Sequence, residues 1–485
     1  MSQLDIMRKL PILQTHVTFM LPFSYESGKK KDVAKLLEQN QYAYFCLRDE
    51  KKRENPSYYG KSIIVEETEL EQYFYPYIEH KLFPTSIQSK GFHRFSKCQQ
   101  KEYQFQIRSD LYSFIIHSTD IVLAPFGIGF LSIRLELTDT YEYSDALDFL
   151  QHFRAVESNL DENKGSHIIT TENTKQSMHD FIFTCLSPYL KEIVIRNDRL
   201  RGYFGSLPYI EDERMFVTAF MITEEGCELT DTDLFRLGSL NGKTPAGEPF
   251  IATTNPNYMQ RTLSTSLHDR WGPNLFIVAT DHAFATISNR PIQQLSTELS
   301  HYMGTHYYNM LLHYYYKIML LRVSFEYSEI EWKKDEQYVR SLIKLITLFS
   351  SWYYFKVVST RSEGKELSRL FREAFSIERL YNEVSSTLQV LYKSQENSQA
   401  NRVNTLLFIL TIFTVVSGIY GMNLVIADWE SPSGWKKFTT YTVFEWISLI
   451  TALAGIALSG YLIFYTFGRI LRQKWRSMRH SLDDE

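Results

Sequence analysis

Asn397, Ala400, Asn404, Leu407, Thr411, Thr414, Gly418 and Gly421 recur at alternating steps of three and four, so on a helix they share one side. That side offers amides, hydroxyls and bare backbone but no carboxylate. Mg²⁺ sheds water reluctantly, so neutral oxygens that hold its water shell suit the passage of a hydrated cation along a ring of such helices. Leu407 would supply an apolar constriction that closes by dewetting. The other side carries Leu406, Ile409, Leu410, Phe413, Val416 and Tyr420, suited to lipid or a neighbouring helix. Small residues also line tight helix packing in membranes. Asn397 and Asn404 favour the lining, because amides buried in a mere packing seam must find partners. Asn423 falls off the stripe, so the helix is expected to loosen after Gly421 for that amide to face the axis.

Other groupings lead to less chemistry. Residues 238–244 read Gly-Ser-Leu-Asn-Gly-Lys-Thr, one residue short of a phosphate-binding loop, with a helix expected before them and Pro245 after them, so a surface turn is expected. His301, His306 and His313 are separated by five and seven residues. An α-helix brings together residues three or four apart, so packing is the expected role of these histidines. Residues 126–130, Phe-Gly-Ile-Gly-Phe, lack the third glycine of a dinucleotide fingerprint and read as a turn between strands. Cys46, Cys98, Cys185 and Cys227 are scattered, without the spacing of a zinc site or a disulfide framework. No nucleophile, base and orienting acid assemble, and no enzyme is expected.

The stripe needs a long helix to carry it. No charged residue lies between Arg402 and Asp428, nor between Glu445 and Arg469, and each gap exceeds the roughly 20 residues that a bilayer span requires. Arg402 before the first, and Arg469, Arg472, Lys474, Arg476 and Arg479 after the second, place both termini in the cytoplasm by the positive-inside bias. Residues 1–21 hold Asp5, Arg8, Lys9 and Pro11, which break up any signal peptide. A multi-pass protein of the inner or plasma membrane is therefore expected. A net charge of −4 with 22% charged residues argues against direct nucleic-acid binding.

Upstream, residues 1–290 mix strand and helix patterns. Strands are predicted at 15–20, 104–108, 121–124, 131–137, 215–221 and 275–280, helices at 32–39, 144–157 and 231–240, and a long polar loop or subdomain junction at 158–177. Residues 291–402 read as helix, ending in a stalk. Leu370, Ala374, Ile377, Tyr381, Val384, Leu388 and Leu391 form its packing seam, and no Pro or Gly interrupts 365–417. Helical from 365 to 421, it would run about 85 Å. The remaining segments are a first span at 403–423, an outer loop at 424–444, a second span at 445–468 and a basic tail at 469–485. The fold class predicted is an α/β cytosolic body, a long helical stalk and two carboxy-terminal transmembrane helices.

Residues 417–423, Ser-Gly-Ile-Tyr-Gly-Met-Asn, together with the paired spans, the basic tail and the long preceding helix, resemble the CorA superfamily of Mg²⁺ channels and transporters. The resemblance implies a CorA-like funnel, a homopentamer in the lipid bilayer, and divalent cation transport gated by the cytosolic body. It also implies a selectivity ring at Gly421, Met422 and Asn423, with Asn423 holding the hydrated cation. Thr411, Thr414 and Gly418 match family pore positions, and Asn397 matches the amide at the cytoplasmic pore mouth. The family's Met-Pro-Glu-Leu loop is absent, which leaves Asp428 and Glu430 as the loop acids. The enlarged body is similar in layout to CorA-like effectors of type III CRISPR antiviral defence. That layout implies as an alternative a pore gated by a small nucleotide messenger.

Overall fold

The computed structural model describes residues 8–48, 58–60, 63–156, 166–170, 174–196, 214–328, 336–428, 441–447, 449–450, 453–454, 457 and 461. The chain divides into two compact units, Met1–Leu388 and Gln389–Glu485. The strands are β1 (Pro11–Ser24), β2 (Ala43–Tyr44), β3 (His93–Ile107), β4 (Asp110–Ala124), β5 (Ile128–Leu137) and β6 (Tyr141–Glu142). They continue with β7 (His167–Ile169), β8 (Lys175–Gln176), β9 (Phe216–Thr223), β10 (Leu267–Trp271), β11 (Leu275–Ala279) and β12 (Ala283–Ser288). The helices begin with α1 (Lys30–Gln39), α2 (Glu67–Tyr73), α3 (Pro76–Leu82), α4 (Tyr143–Phe153), α5 (Met178–Asp180), α6 (Leu190–Ile193) and α7 (Asp231–Ser239). After them come α8 (Pro256–Ser266), α9 (Ser296–His301), α10 (Tyr307–Ser328), α11 (Glu336–Trp352), α12 (Ser362–Ala374) and α13 (Ile377–Asp428).

The first unit is built on a twelve-stranded sheet with the order β10-β11-β12-β9-β1-β5-β4-β3-β7-β8, β2 and β6 pairing beside β3 and β1. Pairing is antiparallel except between β12 and β9. Alternation along the strands sends Val17, Phe19 and Leu21 of β1, with Leu131, Ile133 and Leu135 of β5, into the main core. There Phe149 and Phe153 of α4 pack on Phe19, Phe105 and Phe114. The residues between them, His16, Thr18, Ser132, Arg134 and Glu136, turn to the other face. A second helical layer contacts that face. Tyr302 donates to Thr218 at 2.9 Å, Tyr307 bonds Ser132 at 2.8 Å, and Phe371 of α12 meets Phe284 at 5.0 Å.

Two expectations about chain elements are corrected. The stalk is not continuous: α12 ends at Ala374, and Ser376 takes a left-handed conformation (φ 51°) before α13 starts. Turning there buries Phe375 between Phe216 and Tyr314, at 5.3 and 5.6 Å, a packing gain that overrides helix propensity. The polar stretch 158–177 also contains two short strands, β7 and β8; residues 157–165 and 171–173 lie outside the described residues.

Among the described residues no helix is long and apolar enough to cross a membrane. This overturns the predicted pair of transmembrane helices, and with them the CorA-like funnel, the ion-channel assignment and the multi-pass location in the inner or plasma membrane. Among the described residues of α13 the consecutive side chains without a charge are 403–415, about 20 Å of helix against a hydrocarbon core of about 30 Å. Immediately before it come Glu396, Asn397, Gln399, Asn401 and Arg402, which water solvates far better than lipid. Of the second predicted span, residues 445–447, 449–450, 453–454, 457 and 461 are helical. Its remainder lies outside the described residues, as do 429–440 and the basic tail.

Candidate metal centre

Between α9 and α10 the helix widens into one π-helical turn, Tyr302–His306. An i→i+5 hydrogen-bonding pattern brings residues five apart onto one side, so His301 and His306 meet with ring centroids 5.9 Å apart. The expectation that a five-residue step separates them is corrected by this local change of period. Gly304 sits in the widened turn where a Cβ would come within 2.7 Å of Val65 Cγ1, a close approach that a larger residue would block.

The third member comes from elsewhere in the chain. Glu363, in the first turn of α12, places Oε1 2.6 Å from His306 Nε2. One donor atom from each of His301, His306 and Glu363 lies within 4.8 Å of the others. His306 is 5% exposed, and its Nδ1 has no hydrogen-bond partner. Burial pushes the His306 imidazole down, with His301 and His268 adding to the effect and Glu363 opposing it. Burial pushes Glu363 up, yet the His306 hydrogen bond and the surrounding imidazoles hold it below the usual carboxylate range. Glu69 of α2 supports His301 at 3.1 Å, and His268 of β10 bonds Glu366 at 2.8 Å.

A cavity of about 170 Å³ opens beside the three side chains. Phe220, Trp271 and Ile277 make one apolar wall, and Thr286, Thr297 and Glu298 supply polar groups. Two imidazoles and a carboxylate are a donor set for zinc-class divalent ions, and three protein ligands leave a coordination position for water or a small ligand.

The position of Glu363 is fixed through α12. Asn309 of α10 donates to Tyr73 OH at 3.0 Å and to the Gly364 carbonyl at 3.2 Å, and Ser368 donates to Asn309 Oδ1 at 3.1 Å. A Cβ on Gly364 would lie 2.2 Å from Ser359 Oγ and 2.8 Å from the Tyr73 ring. Gly364→Ala is therefore expected to lift the first turn of α12 and to cost about 1–3 kcal/mol, readable by urea unfolding. An unchanged midpoint would show that the neighbours yield freely.

The residues singled out from sequence lie elsewhere. Asn397, Asn404, Leu407, Thr411, Thr414 and Gly418 are on α13 and exposed. Thr411 and Thr414 donate to Leu407 O and Leu410 O at 2.7 and 2.8 Å, so their hydroxyls are satisfied within the helix. The backbone of Gly421, Met422, Asn423 and Asp428 stays helical, so the expected loosening after Gly421 does not occur. The side chains of these four, and Glu430 altogether, lie outside the described residues. Residues 238–244 form no phosphate loop: Leu240 caps α7 in a left-handed conformation, and Lys243 is bonded to Asp110 and Asp145. His313, the third histidine of the run, is fully buried and donates from Nδ1 to Asn309 O at 2.8 Å.

No family model, curated protein or solved structure matches this chain.

Proposed function

We propose that this chain is a metal-responsive regulatory protein, with His301, His306 and Glu363 as its sensing centre. The observation that supports it is the π-helical turn, which brings two histidines to one carboxylate beside a cavity. The cavity argues for an ion with its waters rather than a nucleotide, because about 170 Å³ falls below the roughly 300–1,000 Å³ of pockets that hold drug-sized ligands. The response runs through α12, whose first turn carries Glu363 and whose last residue is separated from α13 by Phe375 and Ser376 alone. An ion drawing Glu363 toward the histidines shifts the balance of contacts at that joint, and differential affinity for two arrangements is what a ligand needs to act as a switch. Copies of the chain associate through α13, where Leu406, Leu407, Phe408 and Leu410 are 46–67% exposed, an apolar surface that a lone soluble chain rarely leaves open.

The test is metal binding by the purified full chain, followed by calorimetry and by Co²⁺ absorption. Zn²⁺ and Co²⁺ are expected to bind at this centre, with His306→Ala and Glu363→Gln each weakening it by more than about 100-fold. Mg²⁺, the ion suggested by the α13 stripe, prefers oxygen ligands and serves as the control. Equal Zn²⁺ affinity in wild type and both variants would end this reading.

A further inference from the structure

The geometry points to a second metal site, at His16, His117 and Glu136, that takes a zinc-class divalent ion with the Gln14 amide oxygen as a further donor and clips three central strands together. It shares no residue with the centre on α12.

The strand register assembles it. His16 of β1 stands directly opposite Glu136 of β5. On β4 the pairs Ile116↔Leu135 and Ser118↔Arg134 leave His117 as an extra residue. That bulge reverses the alternation: Phe114 and Ile116 enter the main core before it, Ile121 and Leu123 after it. His117 is thereby turned toward Glu136. The neighbouring strand β3 is irregular between Cys98 and Lys101, opposite the same bulge, and β1 is irregular between Ile12 and Gln14. Each bulge forfeits ladder bonds and re-aims a side chain, and such irregularities concentrate beside functional sites. Three of them surround one carboxylate.

The donor atoms lie within 4.8 Å of one another. His117 Nε2 is 3.1 Å and His16 Nδ1 3.8 Å from Glu136 Oε2, and Gln14 Nε2 is 2.9 Å from Oε1. His16 is 1% exposed, and neither ring nitrogen has a hydrogen-bond partner; the Gln14 Oε1 atom has none either. A buried imidazole normally bonds through at least one nitrogen, and a cation at the centre of the group satisfies both orphaned acceptors. Gly60, at φ 114°, brings the loop backbone so close that a Cβ would be 3.2 Å from His117 Nε2, closing the site from that side. Glu136 keeps 21% exposure, which gives an ion its way in.

Zn²⁺ content after loading and desalting tests the site in the full chain. Wild type is expected to retain two ions, Glu136→Gln one, Glu363→Gln one, and the double variant none. If only the α12 centre failed, wild type would hold one ion, lost in Glu136→Gln and kept in Glu363→Gln. Equal Zn²⁺ content in wild type and Glu136→Gln would overturn the second site. Because a change at a half-buried carboxylate can impair folding, Co²⁺ titration of the Glu363→Gln chain gives an independent readout. Visible ligand-field bands are expected from the remaining site, and their absence would overturn it without any change to the strands.

Discussion

Asp120→Asn is expected to destabilise the fold by about 3–5 kcal/mol. Asp120 of β4 is fully buried and faces two arginines: Arg94 Nε is 3.0 Å from Oδ2, and Arg134 Nη1 bonds the same oxygen. Burial pushes the carboxyl up, but the two guanidinium groups outweigh it and hold Asp120 below its ordinary range. Tyr rings take up part of the remaining positive charge. Arg134 lies over Tyr307 at 4.8 Å and Tyr59 at 5.2 Å, and Arg94 donates to Tyr308 at 2.6 Å. An amide in place of the carboxylate removes the negative charge that both buried guanidinium groups face. Arg94→Met leaves one pair intact and should cost less. Urea unfolding of the two variants decides the matter, and a loss below about 1 kcal/mol for Asp120→Asn would refute this account of the cluster. The effect reaches the candidate metal centre as well, because Tyr307 and Tyr308 begin α10 where the π-helical turn ends.

Loss of stability in acid should be lessened by His313→Phe. Burial pushes His313 down to about 3, and its Nε2 has no partner in the core. An unfolded histidine titrates near 6.5, so between those two values the unfolded chain binds a proton that the folded chain refuses. Stability is fully present above the unfolded value and is lost as pH falls toward the folded one, at about 1.4 kcal/mol per unit, or about 4 kcal/mol by pH 3.5. Phe keeps the ring packing against Tyr316 and Phe371 and should change stability at pH 7 by less than about 1.5 kcal/mol. His16 and His306 are also pushed down by burial, so some acid sensitivity remains in the variant. The measure is therefore the difference between the two pH–stability curves. Parallel curves from pH 7 to 4 would show that His313 has a partner in solution.

Strands were readable where β-branched and aromatic residues alternate with polar ones. Residues 15–20 lie in β1, 131–137 in β5 and 215–221 run into β9, because one apolar face suffices to mark such a segment. The sheet order was not readable, since pairing of β12 with β9, parallel and across some sixty residues, leaves no local trace. The break at Ser376 leaves no mark in the sequence because Ala374 and Ile377, on either side of it, continue an apolar seam that only tertiary packing interrupts. For the spans, absence of charge marks an uncharged run without giving its length as apolar helix, and among the described residues no helix is long and apolar enough to cross a membrane. The pairing of His301 with His306 is invisible to a uniform helical period, which a five-residue step does not fit. Glu363, 57 positions after His306, gave no local signal at all. His16, His117 and Glu136 passed unnoticed because a β-bulge, unlike a turn, has no distinctive composition here.

The widened turn at Tyr302–His306 has an implication for how such a centre can arise or vanish. Were the turn wound as regular α-helix, the five-residue step would carry the two imidazoles apart, so their partnership depends on a local change of winding that leaves every side chain in place. If the pair binds an ion, that capacity would follow the winding of the helix between Ser296 and Ser328, and searches for histidines at the customary spacings would pass over it.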